Sequence, residues 1–253
     1  MITMLAPDNT AWAEAVFAQS RIAGLRMEAD YRLQSLNPRM PHRFYRVGTG
    51  ALLQDSGGMA RLCGTPEDPE ELEAYLSFTK TPSLFSDGWV PSTWQQQPLL
   101  ALVRSAAAQP LPPAAGFPAV ETTPSMQEVM AVFAANHPED SAADHSRIYA
   151  DLCARRNHGL GCMYGIRSDG YLASVAGMFA ITPSRAYLGG VETLPAHRSQ
   201  GYASAMLQRL CHDFAGRDIY LLCGPSLFSF YAPLGFAPLP PCAAISHPPG
   251  NET

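Results

Sequence analysis

The chain has 253 residues, 47% of them hydrophobic and 15% charged, with a formal net charge of −5. That apolar content excludes a disordered polyelectrolyte, and the acidic balance without a basic run excludes a nucleic-acid binder that relies on a positive face. No stretch approaches the ~18 apolar residues of a membrane helix, and the opening residues Met1 to Pro7 lack the basic start and apolar core of a signal peptide.

In chain order, Ala11 to Ala29 reads as helical. Phe44 to Val47, Ala51 to Gln54 and Met59 to Cys63 read as short strands with glycine-rich turns. Thr65-Pro-Glu-Asp-Pro-Glu-Glu then opens a helix, with Thr65 as the expected N-cap and acidic residues at the positive end of the dipole. Leu99 to Val103 reads as a buried strand. Trp89 and Trp94 occupy a loop-like stretch and could line a pocket or simply pack.

Ser105 to Pro118 is rich in alanine and proline and free of charge after Arg104, which is linker chemistry. It divides the chain into an N-terminal α/β domain over 1–105, a linker over 106–118 and a second domain over 119–253. In the second domain, Ser125 to Ala135 and Ala142 to Arg156 read as helices, and Cys162 to Arg167, Tyr171 to Ile181 and Ala186 to Leu194 as strands. A helix from Ser199 to Phe214, a buried strand from Ile219 to Cys223, a short helix from Ser226 to Tyr231 and a last strand after Phe236 complete the pattern.

The six cysteines, Cys63, Cys153, Cys162, Cys211, Cys223 and Cys242, include no C-x-x-C pair. Their apolar neighbours suit buried free thiols in a reducing cytoplasm, and no metal is expected. His137, His145 and His158 lack ligand spacing and read as surface residues, and His197 as an exposed loop residue or one facing phosphate.

Val191-Glu-Thr-Leu-Pro-Ala-His-Arg-Ser-Gln-Gly-Tyr-Ala-Ser204 carries the chemistry. A strand ends at proline, and a short loop turns into a helix through Arg198-x-x-Gly201-x-Ala203. The first turn of a helix has unpaired N–H groups and a positive dipole end, so it suits an anion. Gly201 and Ala203 let that anion approach the backbone, and Arg198 adds a charged donor.

This stretch resembles the acyl-CoA-binding motif of the GNAT superfamily, and Phe230-Tyr-Ala-Pro-Leu-Gly-Phe236 resembles the family's Tyr-x-x-x-Gly-Phe segment. The resemblance covers roughly residues 120–240 and implies a mixed β-sheet flanked by helices, beside a smaller N-terminal α/β domain that its hairpin-then-helix order suggests is a degenerate GNAT-like half. It further implies acetyl transfer from acetyl-CoA, as co-substrate, to a primary amine of a small molecule or peptide. Val191 and Thr193 would contact the pantetheine arm through their backbones, and Arg198, Ser199, Gln200, Gly201, Tyr202, Ala203 and Ser204 would hold the pyrophosphate. Tyr231 would protonate the leaving thiolate, and Glu192 is the nearest carboxylate for a base, although alternation puts it on the face opposite Val191 and Thr193. Gly224 stands where many relatives carry Asn. A CoA-binding module without catalysis and an interaction protein that retains the fold remain alternatives, and the oligomeric state, a homodimer included, stays open.

Overall fold

The computed structural model describes residues 1–5, 10–40, 42–56, 59–97, 99–112, 116–240 and 244–248. Cys242 and positions 113–115 of the expected linker lie outside the described residues. The chain divides into two compact units, one built from Met1–Leu102, Leu222–Ser229 and Pro238–Thr253, the other from Val103–Leu221 and Phe230–Ala237.

The first unit runs β1 (Ile2–Met4), α1 (Thr10–Gln19), α2 (Ile22–Leu36), β2 (Arg43–Val47), β3 (Ala51–Asp55), β4 (Ala60–Cys63), α3 (Pro69–Phe78), β5 (Leu84–Ser86) and β6 (Gln95–Gln97). The helix expected over Ala11 to Ala29 is two helices, because Asp87 draws the chain apart at Ser20. Its Oδ2 accepts from Ser20 Oγ at 2.6 Å and from the N–H groups of Ile22 and Ala23 at 2.8 and 3.1 Å, which satisfies the first turn of α2. The helix expected to open at Thr65 begins at Pro69. Asp68 caps it by accepting from the Glu71 N–H at 2.9 Å, so Thr65 is not the cap. Trp94 is buried among Leu53, Leu62, Leu72 and Leu76, with Trp89 packed against the same cluster, so this pair is core rather than a pocket lining.

The second unit repeats that order. After β7 (Leu100–Arg104) come β8 (Val120–Glu121), α4 (Met126–Asn136), α5 (Ala142–Asn157), β9 (Cys162–Ser168), β10 (Tyr171–Ile181), β11 (Arg185–Thr193), α6 (Tyr202–Asp213) and β12 (Asp218–Cys223). The chain ends with α7 (Phe228–Tyr231), β13 (Ala237–Pro238) and β14 (Ala244–His247). Each half is thus a strand, two helices, three antiparallel strands, a helix and a strand parallel to the last of the three.

The sheets are ordered β1-β2-β3-β4-β5-β14-β6 and β13-β7-β12-β11-β10-β9-β8. The strand near Leu99, read as part of the N-terminal domain, therefore belongs to the second sheet, and β14 belongs to the first. An apolar run specifies burial and not which sheet it joins. Helix α6 is held by Met206, Leu207 and Leu210, each 0% exposed, and full burial of such side chains stabilises by about 1.5–3 kcal/mol apiece.

Candidate active site

Strand β11 pairs with β10 until a bulge intervenes. Val175 faces Glu192 and Gly177 faces Gly189, so Gly190 and Val191 together oppose Ala176 alone. Gly190 meets this requirement with φ +57°. A Cβ there would lie 2.7 Å from the Phe179 ring and 2.9 Å from the Phe133 ring.

On its other edge, β11 runs parallel to β12 through only three pairs, ending at Tyr187↔Tyr220. Beyond that point β11 continues to Thr193 without a partner on β12, which leaves this edge open to an extended ligand except at the Thr193 carbonyl, where side chains donate. At the same end, a tight bend leads into α6. Ser199 and Gly201 are both left-handed, with φ of +62° and +79°. A non-glycine residue in this region costs about 1–2 kcal/mol, and such local strain gathers at ligand-binding bends. Ala205 N–H to the Gly201 carbonyl, at 3.0 Å, is the first helical bond of α6, so the N–H groups of Tyr202, Ala203 and Ser204 precede any intrahelical acceptor. Phe117 lies against Gly201, where a Cβ would come 2.6 Å from its ring.

The Arg198 guanidinium is already engaged. Its Nε donates to the Thr193 carbonyl at 3.1 Å and its Nη2 to Asn136 Oδ1 at 2.9 Å. Asn136 Nδ2 donates in turn to Glu192 Oε2 at 3.0 Å and more weakly to the Thr193 carbonyl at 3.4 Å, while Glu192 Oε1 lies 3.0 Å from His137 Nε2. A continuous polar chain therefore joins the bend before α6 to the end of β11 and the C-terminus of α4. The Glu192 hydrogen bond raises the His137 pKa above its ordinary value, reinforced by the charges of Glu192 and Glu139 and opposed by partial burial.

Val191, Glu192, Thr193, Arg198, Ser199, Gln200, Gly201, Tyr202, Ala203 and Ser204 fall at one end of β11 and α6. Tyr231 is 6% exposed and packs edge-on against Phe230 and Phe236, with centroids 4.9 and 5.7 Å away. His197, expected to be exposed or to face phosphate, is buried. Its Nε2 lies 2.7 Å from the Tyr171 hydroxyl and its ring stacks on Tyr202, which fixes the loop from inside. Asn136 and His137 carry no sequence signal that marks them as site residues. Pro138 marks the end of α4, but nothing local indicates that this end meets a strand more than fifty residues further on.

The sequence profile of the acetyltransferase (GNAT) family matches residues 126–236. Among solved structures, the GCN5-related N-acetyltransferase from Kribbella flavida is 20% identical with a TM-score of 0.58, over 91% of this chain and 97% of its own. The tandem GNAT protein from the clavulanic acid biosynthesis pathway is 17% identical with a TM-score of 0.61, over 100% and 99%. A Drosophila protein is 14% identical with a TM-score of 0.68, over 99% of both chains. At these identities the likeness is one of fold, and it extends over both units. No curated protein sequence matches the chain. The splayed strands, the bend into α6 and the family profile coincide: residues 126–236 form a GNAT acetyltransferase-family domain.

Proposed function

We propose that the chain is an N-acyltransferase that moves acetyl from acetyl-CoA to a primary amine of a small molecule or peptide. The observation that carries this reading is the coincidence, at one end of the second sheet, of the open β11 edge beyond Tyr187 with the unfilled first turn of α6. One feature suits an extended, amide-bearing arm and the other suits a pyrophosphate, and the two together suit coenzyme A.

The residues divide the work accordingly. Val191 and Thr193 offer backbone groups to the pantetheine arm, and Ser199, Gln200, Gly201, Tyr202, Ala203 and Ser204 offer N–H groups and space to the pyrophosphate. Arg198 braces this bend through Thr193 and Asn136, and it adds positive charge beside the anion. Acyl transfer needs polarisation of the thioester carbonyl by a preorganised N–H, a proton acceptor for the amine and a proton donor for the thiolate. Tyr231 is the donor in this reading, and Glu192 belongs to the acceptor side.

The first unit, by its repeated order, is a degenerate GNAT-like half. Free thiols at Cys63, Cys153, Cys162, Cys211 and Cys223 support a reducing cytoplasmic setting, and among the described residues no helix is long and apolar enough to cross a membrane.

The test is thiol release from acetyl-CoA in the presence of primary amines. Wild type is expected to turn over, and Tyr231→Phe to lose turnover while keeping affinity for CoA. Binding without release at any amine concentration would replace this reading with the CoA-binding module.

A further inference from the structure

We propose that His137 is the group that takes the proton from the attacking amine, with Glu192 orienting its ring and Asn136 holding Glu192; this rests on the acyltransferase reading above.

The geometry fixes the roles. A carboxylate oxygen only accepts, so the 3.0 Å contact to Glu192 Oε1 places the ring hydrogen on Nε2 and leaves the lone pair of the neutral ring on Nδ1. Nδ1 faces Glu139 Oε1 at 3.5 Å, a longer and weaker contact than the one to Glu192, made by a side chain that is 70% exposed and able to swing aside for an amine. The His137 side chain is itself 42% exposed, so an acceptor can reach it. Glu192 has little freedom to serve as the base itself, because Asn136 Nδ2 holds Oε2 while Oε1 is committed to His137. The charged groups around the ring are Glu192 from β11 and Glu139 from the turn after α4. Arg198 reaches the adjoining Asn136, and Asp140 in the same turn pairs with His145 of α5 at 3.9 Å. Two carboxylates flank the ring and favour a cationic acceptor and an imidazolium.

In the step, the amine nitrogen forms a bond to the thioester carbonyl carbon and the C–S bond breaks. The amine proton passes to His137 Nδ1, and the thiolate takes a proton from the Tyr231 hydroxyl. Amine and thioester become amide and thiol, and the two side chains exchange their protons with solvent.

The experiment measures thiol release from acetyl-CoA across pH with butylamine, phenethylamine, spermidine and glycinamide as probes, using wild type, His137→Gln and Glu192→Gln. Acetyl-CoA binding by each protein is followed in parallel. A base must be neutral to act, and the His137 pKa is raised from 6.5, so wild-type kcat/KM should climb through a limb above pH 6.5. Glu192→Gln should move that limb to lower pH, a shift that ionisation of the amine itself cannot produce. His137→Gln should lose the limb and about 10²- to 10⁴-fold in kcat/KM, the usual worth of a positioned base, with acetyl-CoA binding unchanged. If both variants keep the wild-type rate and limb, the inference is overturned and the acyltransferase reading stands. If wild type releases no thiol with any probe, both fall.

Discussion

Arg198 donates to Asn136 at 2.9 Å, joining the bend that precedes α6 to the C-terminal residue of α4. The arginine of the proposed CoA-binding bend is thus held by the protein itself before any anion arrives. Arg198→Ala is expected to reduce acetyl-CoA affinity by about tenfold at most and to lower stability by about 1 kcal/mol, since the side chain is exposed and its hydrogen bonds are individually modest. Calorimetric titration beside chemical denaturation separates the two effects.

Gly201 and Phe117 form a second coupled pair. Gly201→Ala meets both a left-handed backbone and the Phe117 ring, and it should cost about 2 kcal/mol or more. Phe117→Ala removes the steric part and leaves the backbone part. A double-mutant cycle by denaturant unfolding should therefore show a coupling of about 0.5–1 kcal/mol, and additive effects would mean that the ring does not rest on the glycine.

Tyr231 separates packing from chemistry. Tyr231→Phe keeps the ring between Phe230 and Phe236 and should cost about 0.5–1.5 kcal/mol at most, the usual worth of one hydrogen bond. Tyr231→Ala opens a cavity in a buried site and should cost about 3–5 kcal/mol.

Stability should depend on pH through His137. Its folded-state pKa is raised, so its contribution is fully present below pH 6.5 and is lost as pH rises through the folded value. The denaturation midpoint of wild type should fall relative to His137→Gln across that window. The difference should shrink at high salt because the ring is well exposed.

The motif from Val191 to Ser204 was legible because strand, bend and helix are contiguous, so local rules of glycine, proline and helix termini apply directly. The long strands β9 to β11 and helices α4 to α6 were legible from their apolar patterns to within a few residues. The exchange that places β7 in the second sheet and β14 in the first was not, because pairing is decided by tertiary partners. Nor was the Asn136–His137–Glu192 cluster, whose members sit on elements brought together only by the packed sheet. His197 misled for a similar reason: a histidine in a proline-containing loop looks exposed until Tyr171 and Tyr202 close over it.

The first unit should take no coenzyme A. Its counterpart of the α6 bend carries Glu67 and Asp68 before α3 and Glu70 and Glu71 in the first turn of α3, and Asp68 accepts from the Glu71 N–H. Carboxylates there repel a pyrophosphate, and the Asp68 cap takes one of the N–H groups it would need. Equilibrium titration should give one equivalent of acetyl-CoA per chain, and two would contradict this assignment.

The most direct measurement is a thermal-shift titration with acetyl-CoA on wild type and Ala203→Glu. A carboxylate in the first turn of α6 suits the helix dipole, so the variant should melt at or above the wild-type temperature without ligand. Saturable stabilisation of wild type, absent from the variant, is the predicted result. Equal stabilisation of both proteins, or none of wild type at millimolar acetyl-CoA, would contradict the placement of the cofactor at the start of α6.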